Sequence, residues 1–195
     1  MWGEIEAPLV GKLVVVEPLA ERHAEGLWDA AQFPEIFSWM PYDVGADRDT
    51  FRSWLADAID GPDVSFGVLD AAGAPIGSTR YLNVRPEHRG LEIGWTWLTP
   101  ATWRSGANAE AKLLLLEHAF ERLGCIRVEF KTDAKNDRSR RALEALPAQF
   151  EGIFRKHMLV RGGELRDSAY YAIVDDEWPA VRANLERRLE ELVRG

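Results

Sequence analysis

Residues 103–112 have the sequence W-R-S-G-A-N-A-E-A-K and separate a predicted strand from a predicted helix. The strand is the apolar stretch 94–98 (G-W-T-W-L), and the helix covers residues 112–123, with Gly124 placed where glycine commonly follows a helix. Small residues before a helix leave backbone N–H groups facing outward, where the helix dipole favours an anion. We therefore predict a phosphate-binding segment at residues 104–109, called the phosphate loop below.

The hydrophobic pattern predicts a mixed sheet covered by helices. Strands are predicted at residues 13–18, 64–70, 75–84, 91–98, 127–132, 150–159 and 168–174. Further helices are predicted at residues 20–31, 47–59 and 139–146, and from about residue 177 to the end of the chain. Strands dominate the first half and then alternate with helices, so we expect one α/β domain spanning residues 1–195.

Composition narrows the class of protein. The chain has 195 residues and a formal net charge of −8, which disfavours binding to nucleic acid or to an anionic membrane. The charge favours a cationic acceptor, with the alternative that it serves only solubility. The single cysteine, Cys125, excludes an internal disulfide and is expected to be a small buried hydrophobe. No basic leader or long apolar segment is present, so we expect a cytoplasmic protein.

Several common sites are excluded by the motifs that the sequence lacks. It contains no G-x-x-x-x-G-K-[ST] loop, no G-x-G dinucleotide fingerprint and no G-x-S-x-G nucleophile elbow. It also lacks H-E-x-x-H, and its four histidines do not have the spacing of metal ligands, so we expect no metal.

Two segments together carry a resemblance to a known family. The loop and helix R-S-G-A-N-A-E-A-K are followed by R-V-E-F-K-T-D-A-K-N-D-R-S in residues 127–139. This order resembles the acetyl-CoA-binding half of the GNAT superfamily of N-acetyltransferases, and is most similar to its RimJ/RimL-type branch. The resemblance covers residues 94–159 and implies a mixed, mostly antiparallel sheet with a splayed strand pair, flanking helices and a C-terminal helix.

The resemblance also implies where acetyl-CoA binds. The amides expected to hold the coenzyme A diphosphate are those of Ser105, Gly106, Ala107, Asn108 and Ala109. The splayed strand, residues 95–99, is expected to pair with pantetheine through the backbone of Trp97, Leu98 and Thr99. Asn136 matches the asparagine that hydrogen-bonds the pantetheine arm. Arg104 and Lys112 are candidate cations for the diphosphate, and each has the alternative of a solvated helix start.

Acetyl transfer to an amine calls for a base and for a group that receives the leaving thiolate. Glu92 is the candidate base, with an exposed carboxylate at the strand edge as the alternative. Ser139 is the candidate partner of the thiolate, and the alternative is that it caps the following helix. Five aromatic residues are candidates for the wall of the acceptor cleft or for the core: Trp28, Trp39, Tyr42, Trp54 and Tyr81.

The expected activity is acetyl transfer from acetyl-CoA to a primary amine by direct attack in a ternary complex. The acceptor is left open between a protein N-terminus and a small cationic amine such as an aminoglycoside or a polyamine. A different class of protein, a non-catalytic acyl-CoA sensor or interaction module on the same fold, is also left open. Whether the chain forms a homodimer is not decided by the sequence.

Overall fold

The computed structural model describes residues 2–194 and contains one eight-stranded sheet. The strand order is β1-β2-β3-β4-β5-β6-β8-β7. The strands are β1 (Leu9–Val10), β2 (Val14–Pro18), β3 (Val64–Asp70), β4 (Pro75–Arg85), β5 (Gly90–Leu98), β6 (Arg127–Asp133), β7 (Gln149–Val160) and β8 (Glu164–Val174). Only β5 and β6 run parallel, so the predicted mixed, mostly antiparallel sheet is confirmed.

Five α-helices cover the two faces of the sheet. They are α1 (Ala24–Ala30), α2 (Arg48–Asp60), α3 (Ala107–Glu117), α4 (Asp137–Ala145) and α5 (Trp178–Arg194). One core cluster packs α3, α4 and α5 against the sheet, and a second cluster holds α1 and α2 on the opposite face. Cys125 lies in the first cluster as expected, and burial raises the pKa of its thiol to about 11. Within residues 2–194, no helix is both long and apolar enough to cross a membrane.

The helix after the phosphate loop begins earlier than predicted. We predicted a start at Lys112, but α3 starts at Ala107, directly after Gly106, and a π-helical turn at His118–Arg122 continues it. Ala107, Asn108 and Ala109 therefore form the first turn of the helix and not a loop. The alanines and Glu110 in residues 107–111 are good helix formers and explain the early start.

The central feature of the sheet is the divergence of β5 from β6. The two strands pair at three positions only, Gly90 with Arg127, Leu91 with Val128 and Glu92 with Glu129. Beyond Glu92, β5 pairs with β4 alone, and beyond Glu129, β6 pairs with β8 alone. The predicted splayed pair is thus confirmed. Its fork begins at Glu92.

A buried carboxylate fixes the position of α3 against the edge of the sheet. Glu110 is 7% exposed and accepts hydrogen bonds from the backbone N–H groups of Lys12 (3.0 Å), Leu13 (2.6 Å) and Val14 (2.8 Å). Such charge-assisted bonds are stronger than neutral ones. Glu110 therefore ties the start of β2 to the first turns of α3 and holds the phosphate loop in place.

We predict that Glu110→Ala lowers the free energy of unfolding by about 3 kcal/mol, because it leaves three amides without their acceptor. The matched control is Glu117→Ala on the same helix, whose carboxylate only approaches the exposed Arg182 at 4.0 Å. The control loses less than about 1 kcal/mol. Urea denaturation of both variants measures the difference, and equal losses would contradict the role given to Glu110.

Candidate active site

A cavity of about 730 Å³ passes through the fork between β5 and β6. Residues of both faces line it: Asn108, Lys112 and Ser139 come from the side of α3 and α4, and Trp39, Glu92 and Arg166 come from the side of α1 and α2. Its volume is in the range of small-molecule sites. The cavity connects the two faces of the sheet, so two ligands can reach the fork from opposite sides.

The phosphate loop presents free amides at the start of α3. Gly106 has a φ of +94°, a conformation that L-residues rarely adopt, and a Cβ there would lie 2.9 Å from Leu13. Within residues 2–194, the N–H groups of Gly106, Asn108 and Ala109 have no acceptor. Of these three, out of the five assigned to the diphosphate, Asn108 and Ala109 line the cavity and are available to a ligand, whereas Gly106 is buried and is not among the lining residues.

The other two amides of this set are engaged inside the loop. The N–H of Ser105 donates to the carbonyl of Thr102 at 3.3 Å, and the N–H of Ala107 donates to the Ser105 hydroxyl at 3.3 Å. The prediction that all five amides face a ligand is therefore too broad for this conformation. Both bonds are long, which marks them as weak.

Four arginines lie around the mouth of the cavity on the side of α3. They are Arg104, Arg138, Arg141 and Arg188. The guanidinium of Arg138 stacks on Trp103 at 4.2 Å, and Arg188 of α5 donates to the carbonyl of Ala145 at 2.8 Å. The chain as a whole is acidic, so this group forms a local cationic rim suited to an anion. Sequence reasoning missed Arg138 and Arg188, and no local motif marks Arg188.

The residues assigned to pantetheine pairing differ in whether their backbone groups are already bonded within the chain. The carbonyl of Leu98 accepts from Trp103 Nε1 at 2.9 Å, and the indole of Trp97 is buried against Phe37 and Trp54. The N–H of Thr99 donates to Ile76 at 2.8 Å, and its carbonyl accepts from the N–H of Thr102 at 3.0 Å. Both backbone groups of Thr99 are thus already bonded, and the expectation that Thr99 pairs with pantetheine does not fit this conformation.

Asn136 and Ser139 lie together at the start of α4. The N-cap of this helix is Asn136, whose Oδ1 accepts from the N–H of Ser139 at 3.1 Å. The alternative that Ser139 caps the helix is therefore wrong. Within the described part of the chain, the side-chain amide nitrogen of Asn136 and the hydroxyl of Ser139 have no protein partner, and both residues line the cavity. Both groups are available to a ligand.

Glu92 is the last paired residue before the fork. It is 2% exposed, so the alternative of an exposed carboxylate is wrong. Its Oε2 accepts from Asn83 Nδ2 at 2.8 Å, and the ammonium of Lys131 lies 3.5 Å from its Oε1. The carboxylate lines the main cavity and also a second one of about 320 Å³. It is held in one orientation at the centre of the sheet.

Lys112 extends from α3 to the fork. Its ammonium donates to the hydroxyl of Thr96 at 2.9 Å and lies 5.8 Å from the ring of Phe130. Burial without a carboxylate partner lowers the pKa of Lys112 to about 7. The side chain is half-buried and lines the cavity, and its ammonium lies between the two diverging strands.

The aromatic candidates divide between cavity and core. Trp39 lines the cavity. Trp54 and Tyr81 are 1% and 0% exposed and belong to the two core clusters, so they are not part of a cleft wall. Trp28 packs edge-on against Phe51, and Tyr42 lies 5.6 Å from Trp95, which does line the cavity.

Comparison with known proteins agrees with this geometry. Residues 14–149 match the family model of the acetyltransferase (GNAT) domain. The uncharacterized N-acetyltransferase YnaD of Bacillus subtilis (strain 168) is 32% identical over 167 residues, covering 86% of this chain and 96% of YnaD. A GCN5-related N-acetyltransferase from Brucella melitensis is 32% identical with a TM-score of 0.88, over 93% of this chain and 85% of that one.

A more distant likeness concerns the fold alone. Mycobacterium smegmatis RimJ, crystallised in complex with CoA-disulfide, is 22% identical with a TM-score of 0.77, over 93% of this chain and 92% of RimJ. The divergent strand pair, the free amides at the start of α3 and the domain match lead to one conclusion. The chain belongs to the GNAT family of acetyltransferases.

Proposed function

We propose that this protein transfers the acetyl group of acetyl-CoA to a primary amine, by direct attack of the amine within a ternary complex. The observation that carries the proposal is the cavity through the fork, with free amides and arginines on one face and Glu92 on the other. The bound cofactor supplies an acetyl thioester, which becomes an amide as the thiol of coenzyme A leaves. The acceptor reaches the fork from the side of α1 and α2.

The cofactor end of the proposal rests on the phosphate loop and its surroundings. The free amides of Asn108 and Ala109 hold the diphosphate, with Arg104 beside them, and the buried Gly106 shapes the turn that presents these amides. The cofactor arm then follows the edge of β5 that faces the fork at Trp97 and Leu98, where the Leu98 carbonyl is already bonded to Trp103 and the remaining backbone groups of the edge need a partner. Asn136 donates to the arm from the opposite side. The CoA-disulfide bound by RimJ supports this assignment at the level of the fold.

The acceptor end rests on Glu92 and Ser139. An amine that arrives as an ammonium must lose a proton before it attacks, and Glu92 accepts that proton directly or through one water. The bond from Asn83 holds the carboxylate in place for this step. The hydroxyl of Ser139 donates a hydrogen bond to the departing thiolate, which lowers the energy of the leaving group.

The RimJ/RimL-type assignment within the family is part of the same proposal. Its support is the combined loop, helix and N-x-x-S pattern, together with the likeness to RimJ in fold. It favours an acceptor that presents an unhindered primary amine, either a peptide N-terminus or a small molecule.

Binding of the cofactor is tested with Gly106→Ala, using Gly73→Ala as the matched control. Both glycines have positive φ values, +94° and +86°, but a Cβ at Gly73 has no atom within 4 Å. Both variants should lose about 1 kcal/mol of stability. We expect only Gly106→Ala to weaken acetyl-CoA binding, by about tenfold, because its loop amides are displaced. Calorimetry measures this, and absence of heat with the unaltered protein at high micromolar acetyl-CoA would contradict the proposal.

The buried ammonium of Lys112 predicts a pH-dependent stability. Its pKa is about 7 in the folded chain, against an ordinary lysine value of 10.5, so the unfolded state binds more protons between these values. The free energy of unfolding of the unaltered protein should therefore rise with pH from about 7 to about 10. Lys112→Met removes this rise and should be the more stable protein at pH 6.5, with the difference shrinking by pH 9.5.

Denaturant titrations of both proteins at pH 6.5, 8 and 9.5 measure the effect, and groups other than Lys112 cancel in the difference. A difference that does not change with pH would mean that Lys112 is solvated. The same variant tests the cofactor role, since loss of the ammonium should weaken acetyl-CoA binding.

The base is tested with Glu92→Gln. We expect kcat for acetyl transfer to fall about 100-fold, with the affinity for acetyl-CoA unchanged, because the amide cannot accept the proton. The control is Glu87→Gln in the exposed turn between β4 and β5. Thiol release with a panel of amines measures turnover. Tight acetyl-CoA binding without thiol release from any amine would instead identify an acyl-CoA sensor.

A further inference from the structure

Arg166 is a buried arginine whose guanidinium has no partner among residues 2–194. It is 7% exposed, and its Nε is buried without an acceptor. Within the same residues, its side chain makes no hydrogen bond and no ion pair. The nearby carboxylate of Asp133 is engaged elsewhere, by Arg161 at 3.3 Å and by the N–H of Lys135 at 2.9 Å. Burying a charge in this way is unfavourable unless a partner completes it.

The other strongly buried arginine, Arg80, also has a buried Nε without a hydrogen-bond partner, but a carboxylate and an aromatic ring lie beside its guanidinium. Arg80 is also 7% exposed, but Asp63 lies 3.6 Å from it and the ring of Trp95 lies 5.1 Å from its guanidinium carbon. Arg80 is therefore compensated by the protein, and it does not line the cavity. Arg166 lines the cavity, and among the described residues it has no carboxylate within ion-pair distance, although the charges of Asp133 and Glu92 act on it from farther away.

Arg166 and Glu92 project from the same face of the sheet. Arg166 alternates along β8 with core residues such as Ala169, and Glu92 alternates along β5 with core residues such as Leu91. Both side chains line the same cavity. One small molecule that enters from the side of α1 and α2 can therefore meet both.

We infer that Arg166 binds a carboxylate of the acceptor, so that the acceptor is an amino acid or a related amino carboxylate and not a polyamine. The inference rests on the proposed acetyl transfer to an amine. The acceptor amine lies at Glu92, and its carboxylate takes the bidentate pairing that the Arg166 guanidinium offers. Met40, Met158 and Trp39 line the same part of the cavity and favour an apolar side chain on the acceptor.

The test compares amino acids with their carboxamides, which keep the amine and the side chain but lack the negative charge. We expect the unaltered protein to prefer the acid in kcat/KM. Amidation lowers the pKa of the amine and so favours the carboxamide intrinsically, which means that a preference for the acid reports binding. Arg166→Gln should raise KM for the acid about 30-fold or more and leave KM for the carboxamide and for acetyl-CoA unchanged.

Arg155→Gln is the matched control, because Arg155 is exposed on the neighbouring strand β7. Arg166→Gln should also raise Tm, since it removes an uncompensated charge, whereas loss of a structural arginine would lower Tm. Two further amines complete the panel: spermidine, and a dipeptide whose second residue is acidic. If the acid is preferred over its carboxamide only in the dipeptide, the carboxylate belongs to a peptide acceptor and the assignment to a free amino acid is overturned.

Two kinetic outcomes would overturn the inference. In the first, the unaltered protein prefers carboxamides or spermidine in kcat/KM. In the second, Arg166→Gln loses kcat/KM equally with the acid and with the carboxamide. Failure of the proposed function is distinguishable from both, because it means no thiol release with any amine. In that case, thermal shift tests whether the acceptor binds, independently of turnover. In the presence of coenzyme A, the acid should raise Tm of the unaltered protein and not of Arg166→Gln, and absence of this shift would also overturn the inference.

Discussion

The site depends on one constraint, the loss of pairing between β5 and β6 after Glu92 and Glu129. Two parallel neighbours in the middle of a sheet normally satisfy each other along their whole length. Here each strand keeps its outer partner, β4 or β8, and presents an open inner edge to the cavity. The sheet remains continuous below the fork, so the opening does not divide the core.

The two faces of the sheet give the fork its chemical polarity. On the side of α3, free amides and four arginines create a region suited to phosphate, although the chain carries a net charge of −8. On the side of α1 and α2, the carboxylate of Glu92 is held by Asn83 and Lys131, whereas the guanidinium of Arg166 has no hydrogen-bond partner among the described residues. A net charge therefore describes the solvent surface and says little about the interior of a site.

Sequence reasoning recovered the features that local residues determine. Alternating apolar residues located the strands, and the acidic start at Asp47 located α2, which Asp47 caps through the N–H groups of Asp49 and Thr50. It failed where distant segments decide the outcome. Ser139 was placed at the cap position that Asn136 holds, and Arg166 gave no signal at all. A buried unpaired charge cannot be recognised before the fold shows which carboxylates are already engaged.

Several polar groups that line the cavity are available for ligand contacts. The backbone N–H groups of Asn108 and Ala109, the side-chain amide nitrogen of Asn136 and the guanidinium of Arg166 lack hydrogen-bond partners within residues 2–194. Folded proteins rarely leave such groups without partners, because each one lowers stability. Glu110 shows the opposite case in the same helix, since its carboxylate is fully engaged by three amides. Glu110 thus stabilises the fold through bonds within the chain, whereas the unpartnered groups that line the cavity are available to a ligand.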